Sequence, residues 1–275
     1  MLSFCCPVCG GVLEQGGRTL RCGSGHCYDL AKQNYVNLLM RNQSASKRHG
    51  DDQRMVAARQ EFLDGGWYAC LRDALCALAV KHCGGAVSLL DVGCGEGYYT
   101  SAVRKALDAA GRPCAAGGID ISKTALIAAA RRDTVLSLAV ASVNRLPVSD
   151  GSCGLVMNVF APEDDGEFLR VLRPGGVLLK AVPRERHLFG LKAAVYDTPY
   201  LNPAPVYAPA GFTLLERMDV DARITVTPQK QIENLFMMTP YYYKTGAADQ
   251  AKLSALDTLE TELEFAVFAL RKNGR

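Results

Sequence analysis

Residues 87–100 read VSLLDVGCGEGYYT. A β-branched and leucine-rich run carries Asp91 near its end and then meets three glycines, Gly93, Gly95 and Gly97, with Cys94 and Glu96 between them. A helix-compatible stretch follows. The order is a strand, a tight glycine turn and a helix N-terminus. Glycines there let the backbone approach a ligand closely, and free N–H groups at the helix start face it. The spacing is G-x-G-x-G, not the G-x-G-x-x-G of dinucleotide-binding turns.

Outward from this turn the chain alternates strand and helix. The strand at 87–92 leads to a helix over 98–110. A strand over 115–120 ends at Asp120, whose carboxylate can accept hydrogen bonds from both ribose hydroxyls of a cofactor. A helix over 122–132 follows, with Ser122 suited to cap it. Strands over 135–141 and 154–160 flank the loop SVNRLPVSDGS, and a helix over 163–172 stops at RPGG before a strand over 177–182. Short loops between alternating elements imply a parallel, doubly wound sheet. Residues 211–227 alternate apolar and polar positions, a helix is expected over 228–238, and 259–270 form a last strand inserted antiparallel at a sheet edge. Ahead of the glycine turn, 55–83 read as two helices broken at Gly65-Gly66, a cap over the carboxyl edge of the sheet, where Tyr68 either reaches a ligand or packs. Tyr241, Tyr242 and Tyr243 either stack on a base or serve as core and rim tyrosines.

The bulk numbers fit one large domain and a small one. The chain has 275 residues, 49% hydrophobic and 21% charged, with a net charge of +3. That balance permits a nucleic-acid partner without demanding one. No apolar run approaches the roughly 20 residues of a membrane span, and no secretion signal is visible, so the expected location is cytoplasmic. Eleven cysteines, odd in number and scattered, argue against a disulfide framework and for reduced thiols with some bound to metal.

Those metal-type residues cluster at the N-terminus. Cys6 and Cys9 form a Cys-x2-Cys knuckle followed by Gly10-Gly11, and Cys22 and His26 form a second pair, Cys-x3-His. The spacer between them suits a hairpin turning at Gly16-Gly17. Two such turns close a tetrahedral zinc site, and four protein ligands leave no open position, so the zinc is structural. Cys5 and Cys27 flank the set as competing ligands. The segment 41–54, RNQSASKRHGDDQR, reads as a solvated linker or as a nucleic-acid contact loop.

The segments HCYDLAKQNYVNLL, ARQEFLDGGWY, DVGCGEGYYT, GIDISK, RLPVSD, FAP, LRPGG and PRERHL, in this order after a C-P-x-C module, resemble the bacterial 23S ribosomal RNA (guanine-N1-)-methyltransferase family. The resemblance runs from the first knuckle to the MMTP segment at 237–240. It implies a class I methyltransferase fold, a Rossmann-like seven-stranded α/β sheet with a small N-terminal zinc-ribbon or knuckle domain. The implied division is 1–40 for the zinc-binding RNA-recognition module, 41–85 for linker and cap helices, and 86–275 for the methyltransferase domain. It implies S-adenosylmethionine as cofactor, contacted at Tyr68, Gly95, Glu96 and His187, with Asp91 and Gly93 in the same turn and Asp120 at the ribose. It implies zinc on Cys6, Cys9, Cys22 and His26. The substrate would be a guanine in a 23S rRNA hairpin loop, with Lys47, Arg48 and Arg54 on its phosphates, and a homodimer would suit a large RNA. Guanine N1 carries a proton, so a base is expected; Glu163, Asp164 and His187 stand at the right edge. Two other functions share the core motifs: methylation of a small molecule, and RNA binding without catalysis.

Overall fold

The computed structural model describes residues 1–40 and 51–274. Lys47 and Arg48 lie outside the described residues. The N-terminal module is a three-stranded antiparallel sheet, β1 (Leu13–Gly16), β2 (Thr19–Cys22) and β3 (Cys27–Asp29), in the order β1-β2-β3. Its hairpin turns at Gly17 and Arg18, one position later than the spacing suggests, because Gly16 still pairs with Thr19.

The strand after it, β4 (Tyr35–Asn37), leaves that module and pairs in parallel with β7 (Ser137–Val140). Val36 is fully buried there. Three residues show no alternation long enough to announce a strand, so this joint is a finding of the structure.

The main sheet is built in chain order. Helices α1 (Gln53–Asp64) and α2 (Ala69–His82) precede β5 (Val87–Val92), α3 (Tyr98–Ala109), β6 (Cys114–Asp120), α4 (Lys123–Arg132), β7, β8 (Cys153–Val159), α5 (Asp165–Val171) and β9 (Leu172–Pro183). Then come α6 (Phe189–Val195), β10 (Phe212–Val226), α7 (Gln229–Met237), α8 (Ala247–Leu253) and β11 (Leu259–Lys272). The sheet order is β10-β11-β9-β8-β5-β6-β7-β4. Seven of these strands form the expected sheet, and β4 is an eighth, supplied by the N-terminal segment. The antiparallel last strand β11 is present, but it stands one place in from the edge, between β9 and β10. The edge position is closed by the 15-residue β10.

RPGG begins inside β9 rather than only before it, after a break in register between Cys153 and Leu155 of β8. Of the two N-terminal helices, α1 lies near the carboxyl edge, where the Asp51 carbonyl beside it accepts from Ser122 Oγ at 2.8 Å. α2 packs against α3 and against β9, β10 and β11, on a face of the sheet and not over its edge. The apolar stripe along α2 (Leu71, Leu75 and Leu78 are fully buried) explains why: such a stripe is most stable under cover.

One apolar cluster joins Leu2, Phe4, Leu13 and Leu20 of the N-terminal module to Leu90, Val92 and Val156 beneath the sheet. Cys5 N–H donates to the Pro147 carbonyl at 2.7 Å. The zinc-ligand module therefore shares a core with the sheet.

Candidate active site and metal centre

In the N-terminal module the two knuckles face each other. Gly10 N–H donates to the Cys6 carbonyl at 2.8 Å and Gly25 N–H to the Cys22 carbonyl at 2.9 Å, so each turn is locked by its own backbone. Gly10 and Gly25 both have positive φ, at 75° and 87°, which other residues adopt only with strain. One ligand atom from each of Cys6, Cys9, Cys22 and His26 lies within 4.8 Å of the others. Cys9 Sγ and Cys22 Sγ are 3.6 Å apart. Two sulfurs bound tetrahedrally at about 2.3 Å from one zinc ion stand about 3.8 Å apart, so the spacing fits the metal. The backbone N–H of Gly11, followed by the Ser24 side chain, lowers the Cys9 thiol to about 6, toward the thiolate that binds metal.

The two competing cysteines point elsewhere. Cys5 Sγ contacts Ser149 Oγ at 3.1 Å across the joint to the sheet. Cys27 Sγ is exposed and, among the described residues, donates to the Gly25 carbonyl at 3.3 Å. All eleven cysteines are free of disulfides.

At the carboxyl edge of the sheet, Gly93, Gly95 and Gly97 all have positive φ (80°, 55° and 80°). The turn also needs space: a Cβ on Gly93 would stand 2.3 Å from Ala161 Cβ in the loop after β8. Behind the turn, Asp91 is buried and its Oδ2 accepts from Thr100 Oγ1 at 2.5 Å. Its Oδ1 is buried with no partner among the described residues. Burial raises the carboxyl to about 7; the Thr100 bond offsets part of this and the Asp120 charge adds to it. A buried acceptor without a donor is costly, and the ammonium of an amino-acid-bearing cofactor would supply one.

Asp120 sits at the end of β6, accepting from Gly95 N–H at 2.9 Å and Ser122 N–H at 2.8 Å. Each oxygen keeps a lone pair for a ribose hydroxyl. Burial again raises the carboxyl, against those two bonds. Glu96 behaves differently. Its Oε2 is spent on Arg132 Nε at 2.6 Å, so the side chain bolts the turn to α4 and the ligand meets mainly backbone here.

Tyr68 and His187, 119 residues apart, come together: the hydroxyl and Nε2 are 3.4 Å apart. Both are buried, and both rings pack on Phe265, at 5.2 and 4.5 Å between centroids. Glu264 N–H donates to His187 Nδ1 at 3.4 Å, which suits a neutral ring with its proton on Nε2. Burial, then the Lys192 charge, lowers His187 to about 3. The ring is therefore neutral at pH 7. Asp164 accepts from Glu167 N–H at 3.1 Å as the cap of α5. Glu163 is exposed and ion-paired with the buried Lys180, whose Nζ also donates to Asn158 Oδ1 at 3.2 Å.

Several site residues have no signal in sequence spacing. Arg59 Nη2 donates to the Met238 carbonyl at 3.2 Å, and its Nη1, paired with Asp51, lies 4.0 Å from where a Gly95 Cβ would stand. The Tyr99 hydroxyl is buried without a partner among the described residues. Arg54 is exposed in the first turn of α1. Tyr241 and Tyr242 serve packing: one hydroxyl reaches Asn202 at 3.5 Å, and the other ring meets Phe236 edge-on at 5.8 Å.

A glycine turn between an orphaned acidic oxygen and a ribose-type aspartate, on a sheet with an inserted antiparallel strand, defines a class I methyltransferase. Comparisons with known proteins agree. Residues 4–47 match the zinc-ribbon family described as RlmA, N-terminal, and 89–176 match a methyltransferase domain. A 23S rRNA (guanine(748)-N(1))-methyltransferase of Streptomyces fradiae is 41% identical over 69% of this chain and 66% of its own length. The YxjB protein of Bacillus subtilis, assigned to 23S rRNA guanine-N1 methylation, is 32% identical over 86% of both chains. A chain in the complex between the Haloferax volcanii Trm112 methyltransferase activator and its methyltransferase covers 84% of this chain and 100% of its own, with a TM-score of 0.50 and 15% identity; that likeness shows the fold. The chain belongs to the 23S rRNA (guanine-N1-)-methyltransferase family. The family's methyltransferase domain uses S-adenosylmethionine and its ribbon a structural zinc ion, and Cys6, Cys9, Cys22 and His26 form a cluster that could hold that ion.

Proposed function

We propose that the protein transfers a methyl group from S-adenosylmethionine to N1 of a guanine in a 23S rRNA hairpin loop. The observation that carries this is the joint between the two sites. The zinc-ligand module and the glycine turn share one core through β4, so an RNA gripped by the first is held at a fixed distance from the second. Methylation of a small molecule would leave the zinc ribbon without a role. In this reading residues 1–40 recognise RNA, 41–85 link and cover, and 86–275 hold the cofactor. Lys47, Arg48 and Arg54 contact phosphates, two copies of the chain grip one substrate, and the protein works in the cytoplasm, where ribosomal RNA is made.

The chain's residues divide the work. Asp91 and the Tyr68–His187 pair hold the amino-acid end of the cofactor, the backbone of Gly93, Gly95 and Glu96 lines its middle, and Asp120 takes the ribose. When bound, S-adenosylmethionine supplies a methyl made electrophilic by its sulfonium. Holding the guanine in line with it removes orientational freedom from the barrier. Among the three acid–base candidates, His187 is too weak a base at neutral pH and Asp164 caps a helix. Glu163 is left as the acceptor of the N1 proton, its carboxylate steadied by Lys180.

The test is methyl transfer onto unmodified 23S rRNA, read as a reverse-transcription stop, because N1-methylguanine cannot pair. The Streptomyces fradiae relative is named for guanine 748, and a stop at the equivalent nucleotide is expected. Absence of any stop, or one outside the hairpin, would overturn the proposal.

A further inference from the structure

We propose that Phe160 is the platform on which the target guanine stacks. The proposal rests on the guanine-methylating function above.

Phe160 follows β8 directly. Every residue of β8 is buried, yet the next side chain is 45% exposed. An exposed phenylalanine alone means little. This one also has φ 54°, a left-handed conformation that is strained for a residue with a Cβ. Such conformations persist where surrounding contacts over-determine them, and they concentrate at functional sites.

The contacts here can be named. Phe160 N–H donates to the Ala181 carbonyl at 3.2 Å. Asn158 Nδ2 donates to the Pro162 carbonyl at 2.9 Å and the Val92 carbonyl at 3.3 Å, pinning both ends of the loop to the turn strand. Lys180 holds Asn158 and Glu163 together. The next residue, Ala161, sits where a Gly93 Cβ would go, so the loop and the cofactor turn are in mutual contact.

The side of the sheet matters as well. Asp120 marks the ribose at the end of β6, and β5 lies between β6 and β8. With strands about 4.8 Å apart, Phe160 stands roughly 10 Å from the ribose side. That places it on the β8 side of the glycine turn, away from Asp120. The ring lies near-parallel to His187, at 19° and 6.4 Å, and tilted on Phe265 at 5.6 Å. His187 and Phe265 are buried beneath it, so its exposed surface is turned outward. A base extruded from an RNA loop needs such a face, since stacking replaces the neighbours it leaves.

The experiment compares Phe160→Ala, Phe160→Leu and Phe160→Trp in the full chain. It measures methyl transfer to unmodified 23S rRNA and, separately, S-adenosylmethionine affinity by calorimetry. Phe160→Ala and Phe160→Leu should lose roughly 10- to 100-fold in kcat/KM for RNA. Cofactor affinity should stay within about twofold, and Phe160→Trp should restore most of the rate. Leucine keeps the apolar bulk without the flat face, so it separates stacking from packing. Wild-type rates in Phe160→Ala, or cofactor affinity falling in parallel with rate, would overturn the platform. Absence of methylation by the wild type would instead sink the function on which it rests.

Discussion

The zinc-ligand cluster and the glycine turn are both built from short-range sequence motifs, yet they end in opposite states. In the cluster, four ligand atoms converge on one another and the two knuckles satisfy their own backbone. It asks for one ion and closes around it. At the turn, buried oxygens of Asp91 and Glu96 and the hydroxyl of Tyr99 have no partner among the described residues, and Asp91 is held far from its ordinary range. The first site converges inward and supports a fold. The second leaves unmet demands that a visiting molecule must satisfy, which is how a cofactor site differs from a structural one.

The largest effect should come from breaking the closed site. Structural zinc in small ribbons contributes about 10–16 kcal/mol, more than a small sheet of three short strands supplies by packing. Cys22→Ser, or a strong chelator, should unfold residues 1–30. Hydrogen exchange of β1–β3 should rise to the unprotected rate, and methylation of rRNA should vanish. Because Val36 and Leu38 share the sheet's core, the thermal transition should drop as well, while cofactor affinity changes by less than about threefold. Loss of cofactor binding in step with the metal would show that the two sites are not separable.

Next in size is Gly93→Ala. The new methyl group would meet Ala161 Cβ at 2.3 Å in a φ of 80°. Either the loop moves or the turn does, and both belong to the proposed cofactor site. A loss of at least tenfold in S-adenosylmethionine affinity is expected, equivalent to about 1.4 kcal/mol. Unchanged affinity would mean that close approach at Gly93 is not needed.

These two sites were also the most legible in the sequence. Glycine spacing and cysteine spacing are local chemistry, and Asp91, Asp120 and the four ligands need no distant partner to be recognised. What escaped depends on residues far apart. Lys180 meets Asn158 across 22 positions, Arg59 meets the Met238 carbonyl across 179, and neither spacing carries a signal. The Tyr68–His187 pair rests on family resemblance, because two segments 119 residues apart do not reveal a shared pocket. β4 was hidden by its length, and the strained φ of Phe160 leaves no trace in residue types at all. Helix α2 is expected over the carboxyl edge and packs on a face of the sheet, because its apolar stripe says that it is covered without saying by what.

A third effect tests the unmet demand directly. S-adenosylmethionine carries an ammonium and a sulfonium, so the ionised form of Asp91 binds it better. With the free carboxyl near 7, affinity should weaken by up to tenfold per unit as pH falls below that value and level off above it. The unliganded protein should respond in the opposite sense. A carboxyl raised above its unfolded value of about 3.9 favours the folded state when protonated, so that contribution is present at low pH and lost as pH rises through 7. Calorimetry from pH 5.5 to 8.5 checks the first trend and thermal melts the second. Asp91→Asn should flatten both, and a pH-independent affinity in the wild type would remove Asp91 from the cofactor contacts.

The smallest effect falls on Tyr68→Phe. The substitution keeps the ring against Phe265 and Phe62, at 5.2 and 5.5 Å, and removes only the hydroxyl that faces His187 at 3.4 Å. A hydrogen bond between neutral groups contributes about 0.5–1.5 kcal/mol, so cofactor affinity should fall about 2- to 12-fold while the melting temperature stays within about 2 °C. Burial keeps the Tyr68 phenol protonated across the usable range, and the effect should therefore not vary with pH. That separates it from Asp91. If the melting temperature falls and affinity does not, the pair belongs with the zinc cluster as a structural device, and the open site would consist of the glycine turn and its two aspartates alone.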